Sequence, residues 1–162
     1  MSPTNPNRRT VLAAAGGALL LAPRAFAHHG WSSFDQNRPI FLSGRAAAVS
    51  WRNPHVEFEL ELDADLKLPA DLASRAVPAQ SAPVDGPALL KAAKLPTRRD
   101  RRWHVELAPL FRMNAWGMPE LKVGDAVELL GFTFAGERGD AVLRAEYVWA
   151  GGKAYGLRSS PA

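Results

Sequence analysis

Apolar and polar residues alternate strictly from His55 to Leu62: Val56, Phe58, Leu60 and Leu62 fall on one side, His55, Glu57, Glu59 and Glu61 on the other. A period of two marks a half-buried β-strand. Trp103 to Leu107 repeats the pattern, with Trp103, Val105 and Leu107 inward and His104 and Glu106 outward. Ile40 to Trp51 is rich in apolar residues and holds Gly44, which fits a strand bent at a glycine. Ala126 to Phe134 and Ala141 to Trp149 read as two further strands, joined by the hairpin signal Gly136-Glu137-Arg138-Gly139-Asp140. Pro109 to Trp116 reads as a short helical or looped connector.

The stretch 65–100, between the second and third strands, breaks this regularity. It holds Pro69, Pro78, Pro83, Pro87 and Pro96 and an Asp85-Gly86-Pro87 turn. Length without periodicity predicts a surface insertion outside the core, dispensable for folding, with short helical pieces near 69–76 and 86–94. The arginines that close it, Arg98, Arg99, Arg101 and Arg102, read as a solvated strand entry or as an anion-binding patch. Five short strands with a connector after the third predict an all-β domain: a small five-stranded OB-like Greek-key barrel with a long proline-rich insertion between strands 2 and 3. Gly44 and Gly131 supply the bends a closing barrel needs. A two-sheet sandwich is the competing arrangement.

The amino-terminal end has a different character. Arg8-Arg9 precede an apolar run from Val11 to Ala22, and Ala25-Phe26-Ala27 has the small-residue spacing of a cleavage site. A run of about a dozen residues is short of the roughly 20 needed to span a bilayer. Residues 1–27 are therefore expected to be a cleaved export signal, of twin-arginine type, which sends the protein to the periplasm with no membrane span left. The mature chain would be an arm, 28–39, and a single domain, 40–162.

Cleavage alters the charge. The leader holds three arginines and no acid, so 17 of the 20 basic residues remain against 16 acidic ones. A near-neutral exported domain gives no reason to expect a nucleic-acid partner. The chain has no cysteine, which excludes disulfides, a thiolate nucleophile and any zinc or iron–sulfur site built on cysteine sulfur.

Ala27-His28-His29-Gly30-Trp31, Trp51-Arg52-Asn53-Pro54-His55 and the segment Leu121 to Glu128 together resemble an uncharacterised family of small exported bacterial proteins, domain of unknown function 6152. The resemblance covers the mature chain. It implies an exported, OB-like barrel and supplies no activity.

The chemistry must come from His28, His29, His55 and His104. Cleavage after Ala27 would leave a histidine at the new terminus, whose amine and ring nitrogen can chelate one metal. Further imidazole from His29 or His55 would complete a site suited to copper, with Trp51 and Asn53 shaping its surroundings. His104 is expected to stand apart. If facing residues of strands 2 and 3 sum to 165, His104 pairs with Glu61 and His55 lies opposite Leu110, roughly 20 Å away along the sheet. Glu57, Glu59 and Glu61 then form a solvated outer row. Met113 and Met118 are either soft copper ligands or gap-fillers.

No phosphate loop, nucleophile elbow or metalloprotease helix is present, so no enzyme is indicated. Two readings remain. One is a periplasmic binding or accessory protein holding copper. The other is a metal-free OB-type module that binds a small molecule, glycan or protein partner on an aromatic face built from Trp31, Trp51 and Trp103.

Overall fold

The computed structural model describes residues 30–162, so the expected leader and the pair His28 and His29 lie outside the described residues. Six strands are present: β1 (Ile40–Ser50), β2 (Glu57–Leu62), β3 (Arg102–Glu106), β4 (Ala126–Phe132), β5 (Val142–Ala150) and β6 (Lys153–Gly156). Two short helices, α1 (Gly86–Ala92) and α2 (Leu110–Ala115), join them. β1 pairs antiparallel with β2 and β4, β2 with β3, and β4 with β5. β3 then lies parallel to β5, His104 to Glu106 against Val142 to Arg144. That pairing closes a five-stranded barrel in the order β1-β2-β3-β5-β4 and excludes the open sandwich.

Close backbone approach explains two glycines. A Cβ at Gly44 would overlap the carbonyl of Glu61, and one at Gly131 the carbonyl of Arg144. Gly131 sits where the β4–β5 register shifts, the extra residue a tightly curled barrel uses at a corner. β4 ends two residues before the sequence suggests, because the Thr133 carbonyl accepts from Asp35 of the arm at 2.9 Å. β6 was not expected. Gly151 and Gly152, with φ of 57° and 77°, make the two-residue turn that folds it back on β5.

The alternation sets the core. Phe58, Leu60, Trp103, Val105, Leu129 and Leu143 are at most 2 % exposed and fill the barrel. The opposite side of β1, β4 and β5 is apolar as well, at Phe41, Leu130 and Tyr147, and this is where the insertion belongs. Leu72, Leu90 and Ala93 lie on those three residues and are buried with them. The helical pieces form as expected, a 3-10 turn at Leu72–Ser74 and α1, which Asp85 caps by accepting from the Ala88 amide. Main-chain bonds fasten the segment: Phe41 N to Lys94 O at 2.8 Å, Lys94 N to Pro39 O at 2.9 Å and Ser81 N to Ser160 O at 3.0 Å. The insertion is outside the barrel and covers a second core. The sequence pattern did not show this core because its apolar residues are spaced by prolines rather than by a regular period.

The turn after β4 fastens the two ends of this cover. Glu137, 8 % exposed, accepts from the amides of Thr97 (2.9 Å) and Arg98 (3.0 Å) and pairs with Arg38 of the arm. Burial alone would raise its pKa, but the bonds from Arg38, Thr97 and Arg98 win and hold it below the ordinary glutamate value.

Leu90→Ala should cost about 2–5 kcal/mol of unfolding free energy in urea titration, the range for a leucine truncated in a packed core. A loss under about 0.5 kcal/mol, the usual scale for surface sites, would show that the insertion is not packed as described. Glu137→Gln tests the clasp by pH. Because the folded pKa is depressed, the carboxylate stabilises the fold fully above its unfolded value of about 4.3, and the effect fades as pH falls through the folded value. The variant should therefore melt below the parent at pH 7, with the gap narrowing below about pH 4. An equal gap at both pH values would refute the assignment.

Candidate metal-binding face

Strand alternation places Glu57, Glu59 and Glu61 on the outer side of β2, with His55 two residues before Glu57 on the same side. β3 presents His104 and Glu106 beside them. Facing residues sum to 163: Glu57 pairs with Glu106, Glu59 with His104, and Glu61 with Arg102. The expected sum of 165 and the pairing of His104 with Glu61 are corrected. Arg101 sets the register by donating to the carbonyls of Leu62 (2.8 Å) and Asp63 (3.1 Å), and the Leu62 amide takes the Arg101 carbonyl. Glu61 is left to pair with Arg102.

The corrected register changes the face. His104 Nδ1 is 3.0 Å from Glu59 Oε1, and its Nε2 is 3.8 Å from Glu57 Oε2. The offset from His104 to His55 falls to four residues, about 13 Å along the strand, with Glu57 between them. The row is not a plain solvated edge either: the side chains of Glu57 and Glu59 are 20 % and 29 % exposed, against 58 % for Glu61.

Glu106, expected outward, does point away from the barrel but is 2 % exposed. Arg144 on the neighbouring β5 pairs with it at 3.3 Å. Burial pulls the Arg144 guanidinium below the usual arginine value, and Glu106 opposes that fall. Trp31 of the arm lies against the arginine of the pair, with the Arg144 guanidinium 5.2 Å and the Arg158 guanidinium 3.7 Å from its ring. Phe34 stacks on Phe134 at 5.1 Å and Trp31 meets Phe132 edge-on, so the described arm is docked.

The remaining sequence candidates are placed as follows. His55 and Trp51 are half-buried, and Trp51 packs against the barrel core. Asn53 is exposed and joins Pro54 through a cis peptide. Trp103 is 0 % exposed inside the barrel and cannot serve a surface platform. Met113 and Met118 are core residues. The arginine run is occupied structurally: Arg98 bonds Asp100 and the carbonyls of Glu137, Gly139 and Asp140, beside the clamp of Arg101 and the pair of Arg102. Among the described residues no three His, Asp or Glu side chains form a metal cage by themselves.

Residues 18–67 match the model of a family of unknown function, DUF6152. The likeness is confined to this segment. It spans the arm, β1, the Asn53-Pro54 turn and β2, and so contains His28, His29, His55 and Glu57 but not His104 or Glu106. The match stops short of the segment Leu121 to Glu128, which the sequence resemblance had included. No curated protein and no solved structure matches the chain.

Glu106→Gln removes the countercharge of a buried guanidinium while keeping its shape. It should lower unfolding free energy by about 3 kcal/mol or more, the scale for breaking one side of a buried pair. Urea unfolding within about 1 kcal/mol of the parent would show that the pair is not buried as described.

Proposed function

We propose that this chain is an exported periplasmic protein that holds a transition metal, with copper(II) the best match, at a terminus created by cleavage after Ala27. In this reading His28 supplies its amine and ring nitrogen, and His29 and His55 supply further imidazole. Imidazole and amine nitrogens in a tetragonal set suit copper(II). With no catalytic motif in the chain, a carrier or accessory role fits better than a reaction.

One observation carries the proposal. The described root of the arm docks beside the histidine and carboxylate face. Trp31 covers Arg144, Arg144 pairs with Glu106, and Glu106 faces Glu57, the neighbour of His55. His29 is two positions before Trp31, and two residues of chain reach at most about 7 Å. In this reading the docked arm brings the paired histidines to this part of the barrel. The described half of the face lacks a full ligand set, and the arm would complete it. Glu57 and His104 would orient His55 or close the set from the barrel side.

Of the three tryptophans of the aromatic-face alternative, Trp103 is interior, which leaves Trp31 and Trp51 for any surface platform.

The test begins with protein purified from the periplasm of an expressing bacterium and its terminus read by mass spectrometry. Copper(II) titration followed by absorbance and electron paramagnetic resonance should then show one tightly held ion with nitrogen coupling. His28→Ala should abolish that signal and His55→Ala should weaken it at least tenfold. A terminus other than His28, no stoichiometric binding, or binding unchanged in His28→Ala would overturn the proposal.

A further inference from the structure

The insertion and the barrel also enclose a groove of about 580 Å³ whose residues take no part in the histidine face. Its size falls within the roughly 300–1,000 Å³ of small-ligand sites. The floor is a row across three strands, Ser43 on β1, Glu128 on β4 and Trp149 on β5, set side by side by the ladder registers. Cross-strand neighbours point to one face, so a carboxylate, a hydroxyl and an indole are presented together.

The insertion supplies one wall. Arg75 reaches over the row, bonds Glu128 at 2.5 Å and Asp71 at 3.1 Å, and holds its guanidinium 5.5 Å from the Trp149 ring centroid. Asp63 lines the groove too, and its carboxylate accepts from the Ser43 hydroxyl at 2.7 Å. The turn Gly151-Gly152 forms a rim without side chains, and the groove is open rather than sealed.

This lining selects against most ligand classes. Arg75 is committed to two carboxylates and Arg45 to the Gly124 carbonyl at 2.9 Å, so no cation is left over for an anion. The carboxylates are in turn engaged by Arg75 and Ser43, which disfavours a bare cation. A wholly apolar ligand would strip water from these groups and return no hydrogen bonds. What remains is a neutral molecule with hydroxyl donors around its edge and C–H groups on its face. Carboxylates held in place by arginine and serine are fixed acceptors for such donors, and an indole is the matching platform for such a face. An open rim accommodates a chain longer than one ring.

We propose that this groove binds a neutral oligosaccharide, with Trp149 as the platform and Glu128 and Asp63 as hydroxyl acceptors. The site is independent of any metal at the histidine face. Cellotetraose, maltotetraose, xylotetraose and chitotetraose serve as probes, added to metal-free protein and followed by tryptophan fluorescence and calorimetry. At least one should bind saturably. Glu128→Gln should weaken that binding roughly tenfold, in line with a hydrogen bond to a charged acceptor. Ala126→Trp fills the groove from an exposed position and should abolish it, while circular dichroism shows the parent fold; Trp149→Ala should do the same if it remains folded. No binding by any of the four, or binding that survives in folded Ala126→Trp, would overturn the proposal.

Discussion

The parallel contact of β3 with β5 is the constraint on which the rest of the molecule depends. Without it the five barrel strands are a curled sheet, and closure joins the open edge of β3 to β5. The seam also holds two buried charges, since Glu106 and Arg144 face each other across it. A buried pair contributes little net stability against apolar residues of the same shape, but it tolerates few alternative alignments. Sliding β3 by two residues along β5 would leave two charges without partners in a dry place. The pair therefore fixes how β3 lies along β5, while Arg101 fixes how it lies along β2 and so which carboxylates stand beside His104.

A second layer follows from the first. A barrel closed by five short strands has an outer surface, and here β1, β4 and β5 make theirs apolar at Phe41, Leu130 and Tyr147. The proline-rich segment is the answer to that surface. It behaves as a strap with apolar studs at Leu72 and Leu90, fastened at Lys94 and Ser81 by main-chain bonds. Glu137 anchors the far end of the strap and the arm at a single carboxylate.

The strands were legible because their period of two is a direct imprint of burial on one side, and the ends of β1, β2 and β5 fell within a residue of expectation. The barrel order followed from the connector after the third strand. The sixth strand was missed although Gly151-Gly152 announces a tight turn, because the following Lys153 to Gly156 is too short to show alternation. The insertion's second core was hidden for a related reason: Leu72 and Leu90 are 18 positions apart with prolines between, and no local window connects them. At the candidate site, His55 could be chosen from its place beside a turn. His104 could not, since its relation to Glu57 depends on a two-residue difference in strand register set by Arg101. Glu106 was read as outward, and its burial against Arg144 rests on a pairing of distant strands that the sequence does not show.

The wiring of β1 has a consequence for how the molecule comes into being. β1 finds β2 early, but its other edge waits for β4, since Ile40 pairs with Gly131. During synthesis the first hairpin must persist while most of the remaining chain emerges, and the barrel cannot begin to close until the last third is available. Contacts this distant in sequence make folding slow relative to helical proteins of similar size. In that interval Phe41 faces water, because its neighbours Leu130 and Tyr147 have not arrived. A holdase that covers this apolar stripe would protect the interval.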